Sequence, residues 1–142
     1  MRLAVVDASV ALSWVFSDEE TSPRAIRLLL GFHAGQLRLT VPSLWEYEVT
    51  NALKVAVDRG RISEQEGRAA GGLLFDLGLD LCDFASIAED SWKLALAHHL
   101  SIYDAAYLAL AKRRGCEFYT ADKRLVRAAT RTGLPRWIGE FE

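Results

Sequence analysis

This chain of 142 residues has only two cysteines, three histidines, three prolines and one methionine. Each scarcity excludes something. Cys82 and Cys116 lie far apart and follow no secretory signal, so reduced thiols in a cytoplasmic protein are expected rather than a disulfide. A metal-free ribonuclease wants two histidines across a cleft. Here His98 and His99 are adjacent and point apart on a helix, and His33 lies in a polar turn. No segment approaches the roughly 20 apolar residues of a membrane span. The apolar run after the first residues is broken at Asp7 and no small-residue cleavage pattern follows, which argues against a secretory leader. Positive charge is not in excess: the net charge is −2, so bulk charge alone does not hold this chain to nucleic acid, though a local basic patch stays open. There is no low-complexity segment and no internal repeat.

What remains is ordinary for a globular protein, 51% hydrophobic and 25% charged. One domain over residues 1–142 is the simplest organisation. Leu3–Val6 is an unbroken apolar run, as in a strand buried on both faces. Ala8–Phe16 reads as a helix, Pro23 opens another over Arg24–Ala34, and Leu37–Val41 reads as the second strand. A long helix over Leu44–Arg59 stops at Gly60. Ser63–Leu77 opens with a capping box, Ser-Glu-Gln-Glu, and its small residues at 69–72 suit close helix packing. Gly71-Gly72 lacks the lysine and spacing of a nucleotide-binding loop. Leu79–Cys82 is a short strand and Asp83–His99 a helix carrying Ile87, Trp92, Leu94 and Leu96. A helix after Ser101 has an apolar run at Ala105–Ala111, a basic end at Lys112–Arg114, and Gly115 as its stop. Glu117–Thr120 is a strand, Lys123–Thr132 a helix, and Arg136–Ile138 a last edge strand. Strands alternating with helices predict an α/β fold, a parallel sheet with helices on both faces.

Three aspartates sit where elements change: Asp7 after the first strand, Asp104 at a helix start, Asp122 after a later strand. In a parallel sheet such positions share the edge outside the carboxyl ends of the strands, where ligands bind. Each also has a structural reading. Asp7 and Asp122 suit N-caps, and Ser101 with Asp104 fits a capping box. Glu48, near the start of the helix after the second strand, is a fourth acid and shares a face with Asn51. Glu46 is read as a favourable acid at a helix N-terminus. Acids converging without cations repel by roughly 4 kcal/mol per pair at about 4 Å and an effective dielectric near 20. A divalent cation relieves that repulsion. Oxygen ligands suit Mg²⁺ or Mn²⁺ better than zinc, and such a site activates water for displacement at phosphorus.

The segments VVDASV, PSLWEYEVTNAL, SIYDAAYLALA and FYTADKRL, in that order, resemble a PIN-domain ribonuclease. More narrowly the chain is similar to the toxin subunit of VapBC-type toxin–antitoxin pairs. The likeness covers nearly the whole chain, and Ser63–Asp83 is the part its motifs fix least. The resemblance implies a three-layer sandwich around a parallel sheet of four to five strands. It implies an endoribonuclease using Mg²⁺, with Mn²⁺ as a substitute, and Asp7, Glu48, Asp104 and Asp122 as catalytic metal ligands. Asn51, Ser9 and Thr120 match supporting positions. A cognate antitoxin and a homodimer are implied as partners.

Phosphate contacts with RNA are best sought at Lys123 and Arg124, beside Asp122; Lys112–Arg114 fall on the opposite edge. A solvated helix face is the competing reading of both. Trp14 and Phe16 belong either to the core or, if exposed, to an apolar patch for an antitoxin helix. Two rival functions are a non-catalytic PIN-like RNA- or protein-binding module and an aspartate-dependent phosphohydrolase. The second lacks its second acid, since Ser9 stands two residues after Asp7. The expected products of hydrolysis are 5′-phosphate and 3′-hydroxyl ends.

Overall fold

The sheet grows outward from its first strand. In the computed structural model, which describes Met1–Glu142, β1 is Arg2–Val6, and Ala4, Val5 and Val6 have no exposed surface. A strand without a polar side chain from Leu3 to Val6 suits only the middle of a sheet covered on both faces. The others are β2 (Leu37–Pro42), β3 (Asp80–Cys82), β4 (Glu117–Thr120) and β5 (Pro135–Trp137). All pair in parallel in the order β3-β2-β1-β4-β5. The chain steps from β1 out to β3, then crosses back to β4 on the other side of β1. The direction of winding therefore reverses between β1 and β4, which opens a crevice at the carboxyl ends of those two strands.

The helices are α1 (Ala8–Val15), α2 (Ser22–His33), α3 (Leu44–Asp58), α4 (Glu64–Phe75), α5 (Ala88–His98), α6 (Ile102–Arg114) and α7 (Lys123–Ala128). They cover both faces of the sheet, a PIN-like three-layer sandwich. Helix α6 is buried at every position from Ala105 to Ala111, because it lies over β1, β2 and β4 and is covered in turn by α5. Its small alanines let those layers approach. It closes on Gly115 at φ +62°, a left-handed position that glycine takes without strain. Helix α4 packs on α3. It starts with the expected reciprocal cap, Ser63 with Glu66.

Two elements are shorter than the periodicity predicts. The helix expected over Asp83–His99 is a 3-10 turn, Phe84–Ser86, followed by α5 from Ala88. The Ser86 hydroxyl donates to the Asp83 carbonyl and Arg113 of α6 takes the Ser86 carbonyl, so the helical ladder does not close there. On α5, Ile87 at its cap is buried, but Trp92 and Leu96 are 62% and 64% exposed, against the expected apolar face. The helix expected over Lys123–Thr132 ends at Ala128 and passes into a 3-10 turn, where Thr130 and Thr132 hydroxyls donate back to backbone carbonyls. Phe16 is core, and Trp14 is partly buried against the core. Phe16 lies under the Arg61 guanidinium, 3.9 Å from its ring centre, and the Trp14 indole donates to the Ala25 carbonyl at 2.9 Å. Neither forms the exposed apolar patch of the alternative reading. No helix is long and apolar enough to cross a membrane.

Candidate active site

Strand register sets the first contact of the site. Val6 of β1 stands opposite Tyr119 of β4, so the next residues, Asp7 and Thr120, leave the sheet side by side. Asp7 is buried and caps α1, its Oδ1 accepting from the Val10 N–H at 3.3 Å. The Ser9 hydroxyl donates to the same oxygen, and the Thr120 hydroxyl donates to Oδ2 at 2.6 Å. Ser9 Oγ in turn accepts from the Ala121 N–H, and Thr120 Oγ1 from the Asp122 N–H. Two hydroxyls thus tie the ends of the adjacent strands together around one carboxylate. Burial pushes the Asp7 carboxyl up to about 6, and the charge of Glu48 adds to the rise; the Ser9, Thr120 and Val10 hydrogen bonds oppose it.

Glu48 reaches the same place from α3, half-buried. Its Oε1 accepts from the Tyr107 hydroxyl at 2.5 Å. Burial raises its carboxyl, the Tyr107 bond lowers it, and the charge of Asp104 raises it again. Asp104 is at the first turn of α6. The capping-box reading predicts that its carboxylate bonds back to the Ser101 backbone. Only half of that box forms: the Ser101 hydroxyl accepts from the Asp104 N–H at 3.1 Å, and no reciprocal bond runs from the carboxylate. Its pKa is raised by burial and by the charge of Asp122, and eased by the Ser101 side chain and by Arg124. Asp122 is exposed and does cap α7, Oδ1 accepting from the Arg124 and Leu125 N–H groups at 2.9 and 3.3 Å.

Repulsion therefore runs from Asp7 to Glu48, from Glu48 to Asp104, and from Asp104 to Asp122. The acids foreseen from the sequence are neighbours at the switch-point edge, although far apart in the chain. No three acidic, histidine or cysteine side chains close into a complete cation cage. The donor set still fits Mg²⁺. All its donors are oxygens, and Mg²⁺ uses one or two carboxylates and keeps several waters.

Other expected positions divide. Lys123 and Arg124 line one cavity of about 420 Å³ with Ser9 and Asp122. Lys123 Nζ sits 4.0 Å from the Trp137 ring centre, held there by its face. Lys112–Arg114 end α6, where Lys112 pairs with Asp90 at 3.5 Å and Arg113 holds Ser86. Asn51 is exposed and makes no hydrogen bond to Glu48, though the two line one pocket; the bond to Glu48 comes from Tyr107. Tyr107 was hidden inside an apolar run, yet the signal was there. It is three residues after Asp104, on the same face of the helix.

A model of the PIN domain family matches residues 4–131. The chain is 35% identical over 126 residues to Ribonuclease VapC3 of Pyrobaculum aerophilum, covering 85% of this chain and 90% of that one. It is 32% identical over 123 residues to Ribonuclease VapC9 of Mycobacterium tuberculosis, covering 87% and 88%. The solved structure of PAE2754 from Pyrobaculum aerophilum superposes with a TM-score of 0.69 at 20% identity, over 89% of this chain and 79% of that one.

Proposed function

The chain belongs to the PIN-domain family, and from that premise we propose that it is the endoribonuclease toxin of a type II toxin–antitoxin pair, hydrolysing RNA with the help of a divalent cation. The observation that carries this reading is the crowding of Asp7, Glu48 and Asp104, each raised by burial and by a neighbouring acid, with Asp122 the acid beside Asp104. Relatives named as VapC ribonucleases cover most of the chain, which supports the same activity.

Mg²⁺, or Mn²⁺ in its stead, would be held by oxygens of these acids and would supply positive charge at phosphorus and lower the pKa of water. The residues do the rest. Ser9 and Thr120 fix both oxygens of Asp7 while leaving its charge in place. Asp122 spends Oδ1 on the α7 cap and keeps Oδ2. Lys123 and Arg124 border a cavity that Asp122 and Ser9 also line, and would meet the RNA backbone. No side chain is needed as a covalent nucleophile. A cytoplasmic setting, a cognate antitoxin and a homodimer complete the proposal. The exposed Trp92 and Leu96, four residues apart on α5, are apolar surface available to a protein partner.

The test is incubation of the purified chain with a single-stranded RNA pool in Mg²⁺, in Mn²⁺ and in EDTA, with the new ends mapped. Cleavage leaving 5′-phosphate and 3′-hydroxyl ends, abolished by EDTA, is expected. RNA binding with no chelator-sensitive cleavage would mean a binding module instead. The basic pair gives a second measurement. Lys123→Ala and Arg124→Ala should each weaken RNA binding regardless of sequence and flatten the plot of log affinity against log salt by about one. An unchanged salt slope in both would place the RNA elsewhere.

A further inference from the structure

Tyr107 has Glu48, Asp7 and Asp104 as neighbours. Its phenol is held far above its usual range by burial, then by Glu48, and further by Asp7 and Asp104. The ring is 2% exposed and stacks on Phe118, with centroids 5.6 Å apart and planes 12° from parallel. Phe118 lies in β4 opposite Val5 of β1. The ring is thus anchored on the two strands that carry Thr120 and Asp7, while its helix carries Asp104.

Packing alone explains the ring but not the hydroxyl. A phenylalanine would stack equally well, and a buried hydroxyl is costly unless it finds a partner. The partner here is Glu48, 59 residues earlier in the chain, at 2.5 Å. A glutamate has more rotatable bonds than an aspartate and must be held to aim its charge. A lysine or arginine in this position would neutralise the carboxylate. A phenol restrains one oxygen and leaves the negative charge for a cation. Glu48 Oε1 is engaged in this way, and Oε2 makes no hydrogen bond.

We propose that Tyr107 is a positioning residue for Glu48: its hydroxyl fixes Oε1 so that Oε2 faces the cation held by the acid cluster. The proposal rests on the cation-dependent reading above and deepens it. One turn of α6 then provides both an acid of the cluster, Asp104, and the group that orients another.

The experiment is Mn²⁺ binding without RNA, followed by the paramagnetic signal of the free ion, on four full-length proteins: wild type, Tyr107→Phe, Glu48→Gln and the double variant. Tyr107→Phe keeps the ring on Phe118. It should lower Mn²⁺ affinity about tenfold, the size typical when a ligand's orienting partner is lost. In the Glu48→Gln background the same change should alter affinity less than about twofold, because the hydroxyl acts through that carboxylate. In cleavage assays kcat should fall with KM for RNA unchanged. Wild-type affinity in Tyr107→Phe, or an equal loss in both backgrounds, overturns the proposal and leaves the nuclease reading standing. A wild-type chain that binds no Mn²⁺ overturns both.

Discussion

Asp7→Asn should cut the rate of RNA cleavage by on the order of a thousandfold, the scale of losing one well-placed electrostatic group, and should make the metal-free protein harder to melt near pH 8. The two effects have one cause. Asp7 is buried at 8% exposure, and its charge is kept there against desolvation and against Glu48. Asparagine retains the shape, the capping oxygen for Val10 and an acceptor for Ser9, turns the Thr120 hydroxyl from donor to acceptor, and removes the charge. A site that stores repulsion for function commonly gains stability when the repulsion is deleted. The checks are a cleavage time course in Mg²⁺ and thermal melts in EDTA of both proteins. A variant that cleaves at the wild-type rate removes Asp7 from the site. A variant that is inactive and much less stable would show that Asp7 serves the fold alone.

Melting should also depend on pH in an unusual direction. The folded-state pKa of Asp7, about 6, lies above its ordinary 3.8. A raised carboxyl pKa means that the folded state holds the proton more tightly than the unfolded chain. Its stabilising contribution is complete below about pH 4 and is lost as the pH rises through about 6. Over that window the loss from Asp7 alone is at most about 3 kcal/mol, from two units of pKa. Glu48 and Asp104 shift the same way and add to it. In EDTA the melting midpoint should therefore fall between about pH 5 and pH 8 by several degrees. Excess Mg²⁺ should restore it at the upper pH and do little at the lower, where the acids hold protons. A midpoint that stays level or climbs over this range in EDTA would contradict the crowding of these carboxylates.

The sequence exposes the frame well because the frame is local. Apolar β1 announces itself by lacking any polar side chain from Leu3 to Val6. The capping box at Ser63 and the stop at Gly115 are written in neighbouring residues, and both appear as expected. Failures occur where a distant residue intervenes. Arg113 takes the carbonyl of Ser86 and interrupts a helix that periodicity alone would continue. Asn51 has the right spacing from Glu48 but faces solvent, while a tyrosine from another helix makes the contact.

Asp7, Asp104 and Asp122 each look like a helix cap in sequence, and two of them do cap. Residue type, order and strand–helix alternation already assign the chain to its fold and nominate the acids, because those signals act within a few residues. Only the parallel pairing of β1 with β4, the reversal of winding between them and the reach of Tyr107 to Glu48 decide that the acids meet. These are contacts between segments some 60 to 110 residues apart. Charge repulsion depends on distance through space, which no local pattern specifies.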